Sequence, residues 1–203
     1  MTRHQWSFDE VSDISGAAAS LRNYLEQRDV RRCLEAAASE RALGSACDVG
    51  CGYGRLTMVL REAARRVVGF EREDDLLSQA RRLQPEIEWV SIQDLARLPV
   101  PDGAFDFAMS FTVLQHMSDA AARRVADELK RIARGGFVLL VEETDAALGG
   151  DVPPDWELGM TRGRAGSTYA AWMEPWKLRL SFPRQIEPGY ARSDVGTYML
   201  FAS

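Results

Sequence analysis

The chain has 203 residues, of which 46% are hydrophobic and 27% are charged, and its formal net charge at pH 7 is −5. This length supports one sizeable hydrophobic core and is short for two ordinary domains, so we expect a single domain over residues 1–203. The acidic balance, with no lysine- and arginine-rich run interleaved with aromatic residues, argues against a nucleic-acid partner.

Targeting signals and cysteines narrow the class of protein further. The sequence has no 18-residue apolar run and no secretory hydrophobic segment at its start, so we expect a cytoplasmic protein without a membrane span. Its three cysteines, Cys33, Cys47 and Cys51, are an odd number that favours reduced thiols over a disulfide framework. No downstream His or Cys pair completes a four-ligand site with Cys47 and Cys51, so we expect no metal.

Helical spacing precedes the first predicted strand. Residues 16–42 carry two helix-like stretches of apolar side chains, and we expect residues 1–44 to form a helical cover at the ligand-binding end of the domain. A buried strand is predicted over residues 46–49. A glycine turn follows it and leads into a helix predicted over residues 55–64.

The middle of the chain alternates apolar strands with amphipathic helices. One helix is predicted to end near Leu83, where Pro85 closes it, and a longer one to span residues 119–133. The alternation predicts a parallel sheet with right-handed crossovers, in which residues 45–142 form the ligand-binding core. The four strands predicted after the first one cover residues 67–70, 88–92, 105–110 and 137–141.

The pattern changes after residue 142. Residues 149–154 are rich in glycine and proline and indicate a loop, and a short helix is predicted over residues 169–173. Two strands, residues 176–182 and 195–201, are predicted on either side of a Pro-Gly turn region. We therefore interpret residues 143–203 as an insertion on the acceptor side of the site and a C-terminal strand pair.

The glycine turn after the first strand carries the chemistry. Glycines let a ligand lie against the main chain because they have no Cβ, and here they stand at Gly50, Gly52 and Gly54. In the NAD-binding fingerprint the glycines fall at positions one, three and six, and the sixth position here is Arg55. The spacing therefore disfavours a nicotinamide dinucleotide, although an NAD-dependent oxidoreductase stays open as an alternative.

The run Asp48-Val49-Gly50-Cys51-Gly52-Tyr53-Gly54 resembles motif I of the class I S-adenosylmethionine-dependent methyltransferases. The resemblance extends to Glu71 and to the stretch from Asp94 to His116, which looks like the small-molecule subgroup related to the ubiquinone-biosynthesis methyltransferases. It implies S-adenosylmethionine as cofactor. It also implies a doubly wound α/β fold whose seven-stranded sheet has the order 3-2-1-4-5-7-6, with strand seven antiparallel and helices on both faces.

Residues at the strand ends are the predicted cofactor site. Glu71 lies 21 positions after Gly50, about the offset at which a carboxylate accepts from ribose hydroxyls. Asp94 and the Leu95 amide are expected to bind adenine, and main-chain carbonyls at Ser110 and Phe111 to hold the amino group. The resemblance implies that the glycine turn cradles the methionine portion. The predicted cofactor-binding residues are Asp48, Gly50, Cys51, Gly52, Gly54, Glu71, Asp94, Leu95, Ser110 and Phe111.

His116 is the predicted catalytic residue, since imidazole titrates near neutral pH, and a structural role beneath the cofactor is the alternative. Glu142 and Glu143 end a strand and are candidates for the acceptor pocket, with solvated carboxylates as the alternative. Arg162 and Arg164 are candidates for binding an anionic acceptor or are exposed arginines. The aromatic candidates for a pocket wall are Trp6, Tyr24, Trp156, Tyr169, Trp172 and Trp176.

The sequence thus predicts transfer of a methyl group from S-adenosylmethionine to an O or N atom of a small-molecule acceptor. The acceptor is expected to enter between the N-terminal helices and residues 149–169. A non-catalytic cofactor-binding or interaction protein on the same fold is the second alternative. Residues 1–40 and 144–175 carry no motif that defines the acceptor, and the oligomeric state is open.

Overall fold

The computed structural model of the chain describes residues 17–144, 163–187, 190–191 and 196–203. The predicted loop over residues 149–154 and the candidates Trp6, Trp156 and Arg162 lie outside these ranges. The helices are α1 (Ala17–Glu40), α2 (Thr57–Leu60), α3 (Asp74–Leu83), α4 (Asp119–Ile132) and α5 (Gly166–Met173), with a 3-10 turn at Leu114–His116. The strands are β1 (Ser45–Val49), β2 (Arg66–Glu71), β3 (Glu88–Ser91), β4 (Phe107–Phe111), β5 (Phe137–Glu142), β6 (Lys177–Pro183), β7 (Gln185–Glu187), β8 (Tyr190–Ala191) and β9 (Thr197–Ala202).

Seven of the strands form one sheet in the order β3-β2-β1-β4-β5-β9-β6. Strands β1 to β5 pair in parallel, and β9 runs antiparallel to both β5 and β6. Because β9 is the seventh strand of this sheet along the chain, the order is the 3-2-1-4-5-7-6 arrangement that the resemblance implied. The predicted fold is therefore confirmed, and the small β7-β8 hairpin between β6 and β9 is an addition that we did not predict.

Two hydrophobic cores, one on each face of the sheet, hold the helices. Side chains from α1, α2 and α3 pack on one face and side chains from α4 and α5 on the other. Strand β5 serves both, because Leu139 and Val141 point into the first core and Val138 and Leu140 into the second. This explains its uninterrupted apolar sequence, which is typical of a central strand covered on both sides.

The local signals for α3 and α4 agree with their observed bounds. Helix α3 has Asp74 and Asp75 in its first turn and Arg81 and Arg82 in its last turn, so that its charges oppose the helix dipole at both ends. Helix α4 begins after Ser118, whose side chain accepts a hydrogen bond from the Ala121 amide. None of the helices in the described ranges is both long and apolar enough to cross a membrane.

Two predictions about the helices were wrong in detail. The N-terminal region is one continuous helix of 24 residues, where we predicted two stretches. The polar residues that look like a break in its apolar stripe, Glu26 and Asp29, are buried and paired with arginines. The helix after the glycine turn covers Thr57–Leu60 rather than residues 55–64, because the Ala63 and Ala64 amides both donate to the Leu60 carbonyl and tighten the chain before β2.

Candidate functional site

The carboxyl ends of five parallel strands meet at one edge of the sheet. The chain leaves β1 toward β2 and β3, and later returns on the other side of β1 to form β4 and β5. The reversal leaves a crevice between the ends of β1 and β4, which is where open α/β sheets bind their ligands. The predicted site residues lie around this crevice.

The glycine loop, residues 50–54, is tied to the end of β2. The Gly50 and Cys51 amides donate to the Phe70 carbonyl at 2.8 and 3.1 Å. The Gly52 amide donates to Glu71 Oε2 at 2.8 Å. Three successive amides of the loop therefore fix its shape against β2.

The three glycines are required for different reasons, although all three have a positive φ, at 77°, 57° and 83°. A Cβ at Gly50 would stand 2.6 Å from Val113 Cγ2, and a Cβ at Gly54 would stand 2.4 Å from Trp89 Cη2. At Gly52 no heavy atom of the described residues lies within 4 Å of that position. Gly50 and Gly54 therefore allow tight packing, whereas Gly52 presents bare main chain to open space.

Glu71 and Asp48 stand on either side of the loop. The Glu71 carboxylate also accepts from the Arg72 amide at 2.6 Å and the Glu73 amide at 3.1 Å, so it joins the loop to the chain after β2. Asp48 is buried behind the loop, where Thr57 Oγ1 donates to its Oδ2 at 2.6 Å and its Oδ1 has no partner among the described residues. Burial raises the pKa of Asp48 to about 7.

The predicted adenine-binding residues follow β3. Asp94 is exposed, and its Oδ1 accepts from the Ala96 amide at 2.9 Å, which fixes a tight turn. The Leu95 side chain is buried beneath that turn. The Ile92 amide donates to the Glu71 carbonyl at 3.0 Å, so this segment leaves the sheet directly beside the end of β2.

The end of β4 places its two predicted residues on opposite faces of the sheet. Ser110 pairs with Leu140, whose side chain is in the second core, and its buried Oγ has no partner in the described part of the chain. Phe111 belongs to the first core and lies edge-on to Tyr198, with ring centroids 6.0 Å apart.

The half-buried His116 belongs to a turn over residues 112–117 that a buried glutamate shapes. The turn begins at Thr112, a non-glycine residue with a φ of 55°. The Glu142 carboxylate is fully buried and accepts from three successive amides of the turn, at 3.1, 3.0 and 2.9 Å. Burial raises the pKa of Glu142 to about 7, and the three amides act against that rise.

Arg164 holds the same turn from its carbonyl side. Its guanidinium donates to the carbonyls of Leu114, at 2.9 Å, and Met117, and to Asp119 Oδ1 at 2.8 Å. Arg164 is buried, so the alternative that it is an exposed arginine is wrong. The structure gives it the task of completing the frame that Glu142 begins.

A second buried carboxylate, Glu26, lies in α1 and was not among the predicted site residues. Glu26 is fully buried and accepts from Arg22 Nε at 3.0 Å, from Arg184 Nε at 2.9 Å and from Arg55 Nη1. We call these four residues the Glu26 cluster. The guanidinium groups of Arg55 and Arg184 stand 5.8 and 5.1 Å from the centroid of the Phe111 ring. The i, i+4 spacing of Arg22 and Glu26 was a visible signal, but it did not identify the distant partners.

The aromatic candidates differ in how deeply they are buried. Tyr169 is fully buried, Trp172 and Trp176 are half-buried, and Tyr24 is 62% exposed. Within the described ranges no group of three His, Cys, Asp or Glu side chains is arranged to hold a metal ion.

Comparisons with known proteins agree with this geometry. A family model of a methyltransferase domain matches residues 46–136. Malonyl-[acyl-carrier protein] O-methyltransferase of Serratia marcescens is 32% identical over 66% of this chain and 49% of its own length. Trans-aconitate 2-methyltransferase of an Azoarcus species is 30% identical over 69% of this chain and 57% of its own length.

The N-methyltransferase NodS of Bradyrhizobium japonicum, solved with S-adenosyl-L-homocysteine, has the same fold. The TM-score is 0.67 at 18% identity, over 88% of this chain and 87% of that one. These similarities identify residues 46–136 as a methyltransferase domain and support a class I S-adenosylmethionine-dependent methyltransferase. It spans about half the length of these two curated relatives.

The matching methyltransferase domain implies S-adenosylmethionine as cofactor, and the residues of the glycine loop fit that group. The open main chain at Gly52 leaves room for a ligand where a side chain would intrude. Glu71 supplies a carboxylate at the neighbouring strand end, as a ribose requires. Arg55 occupies the position of the third fingerprint glycine and bonds to α1 through Glu26.

Proposed function

We propose that this methyltransferase transfers a methyl group from S-adenosylmethionine to an O or N atom of a small-molecule acceptor. The observation that carries the proposal is the open main chain of Gly52, held beside Glu71 at the strand-end crevice. The name of one relative, trans-aconitate 2-methyltransferase, supports the acceptor class, since trans-aconitate is a free small molecule.

The proposed cofactor contacts divide along the crevice. Gly50, Cys51, Gly52 and Gly54 face the methionine portion, with Asp48 supporting the loop from behind. Glu71 accepts from the ribose hydroxyls, Asp94 and Leu95 bind adenine, and Ser110 and Phe111 hold the amino group. S-adenosylmethionine supplies a methyl carbon that is already activated by a sulfonium, so the protein has to orient the acceptor and exclude water.

His116 is the proposed general base for an acceptor whose nucleophile carries a proton. Side chains on both sides fix the main chain of its turn just after the end of β4. We expect His116→Ala to lower kcat with little change in the affinity for S-adenosylhomocysteine. Unchanged turnover in this variant would remove His116 as the base.

The test of the function is incubation of the protein with methyl-labelled S-adenosylmethionine and a metabolite extract, followed by mass spectrometry. We expect one or a few small molecules to gain the labelled methyl group while S-adenosylhomocysteine accumulates. Glu71→Ala should reduce both signals, and the exposed pair residue Arg31, changed to Gln, is the matched control that should not.

Two results would contradict the proposal. Binding of S-adenosylhomocysteine without a methylated product from any extract would indicate a non-catalytic binding protein. Label that enters proteins or nucleic acids and no small molecule would show that the acceptor class is wrong.

A further inference from the structure

The Glu26 cluster brings three guanidinium groups to one carboxylate. In the described part of the chain one carboxylate faces three guanidinium groups, and the neighbouring acid, Asp29, is bonded to its own arginine, Arg28, at 2.9 Å. Burial acts to raise the pKa of Glu26, but the arginines outweigh it and hold that pKa at about 2. Burial and the positive charge of Arg184 lower the pKa of Arg22.

Arg55 offers an anion a place to bind. Its Nη1 donates to Glu26 and to Asn23 Oδ1, the latter at 3.1 Å, while its Nε and Nη2 have no hydrogen-bond partner among the residues that the structure describes. The side chain is 26% exposed. The Nε and Nη2 edge of a guanidinium matches the two oxygens of a carboxylate, so Arg55 has one edge anchored to the protein and another edge available.

The direction of the Arg55 side chain separates this edge from the nucleoside end of the crevice. The guanidinium extends from the glycine loop over Phe111, at the end of β4, and Phe111 is backed by Tyr198 of β9. Glu71 stands at the end of β2, on the other side of β1. A ligand bound to Arg55 in front of Phe111 therefore lies toward the half of the sheet formed by β4, β5 and β9.

We propose that the Nε and Nη2 edge of Arg55, which is anchored by Glu26 and lies over the Phe111 ring, binds a carboxylate of the methyl acceptor. This inference rests on the proposed function and narrows its acceptor to a carboxylic acid. A carboxylate of the cofactor itself shares the same chemistry, so the experiment has to distinguish the two sources.

The experiment combines binding and turnover. Calorimetry measures the affinity of the wild type, Arg55→Gln and Arg55→Lys for S-adenosylhomocysteine and for its decarboxylated analogue. The S-adenosylhomocysteine complexes are then titrated with a panel of mono-, di- and tricarboxylates and their neutral amides, and the same panel is offered as methyl acceptors. Arg31→Gln is the control, because Arg31 pairs with the exposed Glu62 away from the cluster. Arg55→Gln should fold, since Glu26 keeps its bonds to Arg22 and Arg184.

We expect at least one carboxylate to bind the wild-type complex and its amide not to bind. Arg55→Gln should weaken that carboxylate about tenfold or more, with Arg55→Lys in between because lysine keeps the charge and loses the fork. Affinity for S-adenosylhomocysteine should stay within about twofold in each variant.

The outcomes separate this inference from the proposed function. Methyl transfer to uncharged acceptors alone, or equal binding of carboxylates to the wild type and Arg55→Gln, would overturn the inference and leave the function standing. Carboxylate binding that depends on Arg55, without any methyl transfer, would support the subsite and contradict the function. Loss of S-adenosylhomocysteine in Arg55→Gln, with the decarboxylated analogue unaffected, would assign Arg55 to the cofactor and overturn the inference.

Discussion

The loops on the two sides of the crevice are both shaped by hydrogen bonds, but the bonding partners lie at different distances along the chain. On the side of β1 and β2, the glycine loop is shaped by main-chain bonds to Phe70 and by one carboxylate, Glu71, 19 positions from the amide it binds. On the side of β4 and β5, the turn over residues 112–117 is shaped by Glu142 and Arg164, which reach it from 28 and 50 positions away in the chain.

The two sides differ in whether the residues that shape them can be recognised from one stretch of sequence. Glycines act through their own backbone, so their spacing is visible in a single stretch of sequence. A buried carboxylate that caps a distant turn acts through tertiary structure, and its sequence neighbourhood gives no sign of the partner.

The largest expected effect is on the turn. Glu142→Ala leaves three buried amides without an acceptor, and we expect the free energy of unfolding to fall by about 5 kcal/mol. Chemical denaturation followed by circular dichroism measures this change. His116 should lose its fixed position as well, so turnover should fall in any fraction that folds.

Two variants keep this prediction testable if Glu142→Ala does not fold. Glu142→Gln retains an oxygen for the two amides that now donate to Oε1. This variant should lower the free energy of unfolding roughly half as much as Glu142→Ala does. Glu143→Ala removes the adjacent half-buried carboxylate, which bonds to Gln115, and should cost less than about 1 kcal/mol. Equal losses in the two alanine variants would show that Glu142 does not shape the turn.

The same contrast explains how much the sequence revealed. The positions of the first five strands followed from apolar periodicity, and the order of the sheet followed from the family resemblance, because both depend on local patterns. The glycine loop and Glu71 were found for the same reason. The bonds from Arg164 to the turn were not predicted, since nothing near it in the sequence indicates the carbonyls to which it donates.

The Glu26 cluster was missed for a related reason. A glutamate in a helix is most often exposed. The burial of Glu26 depends on Arg55 and Arg184, which are 29 and 158 positions away. Patterns along one helix cannot show that a charge will be neutralised from other parts of the chain.

The two sides also predict a pH dependence, through the buried Asp48 behind the glycine loop. Burial raises the pKa of Asp48 to about 7, against 3.8 for an ordinary aspartate. Between these values the folded chain keeps a proton that the unfolded chain has lost, so the free energy of unfolding should fall as pH rises from about 4 to about 7. The loss due to Asp48 should reach up to about 4 kcal/mol, and Asp48→Asn should remove that share in denaturation measured across this range. The share due to Glu142, whose pKa is also raised to about 7, should remain.

Glu26 should act in the opposite direction and in a lower window. Its pKa is lowered from 4.5 to about 2, so its contribution to stability should be lost as pH falls through that interval. Glu88→Gln is the control for the effect of Glu26, because Glu88 is exposed and pairs with Arg66 at the surface.

For Asp48, the slope of the free energy of unfolding against pH decides the prediction. An unchanged slope between pH 4 and 7 in Asp48→Asn would show that Asp48 is ionised at neutral pH.

A change at Gly52 should affect the stability of the fold little and the affinity for the cofactor strongly. Gly52→Ala places a methyl group in open space, so it should cost only the strain of a positive φ, about 1 kcal/mol. That methyl group projects where the ligand is proposed to lie against the main chain, and we expect affinity for S-adenosylhomocysteine, measured by calorimetry, to fall about tenfold or more. Gly54→Ala is the matched control, since its Cβ meets the Trp89 ring and should lower stability more than Gly52→Ala does. A Gly52→Ala variant that binds the ligand as tightly as the wild type would mean that the cofactor does not touch this loop at its one open glycine.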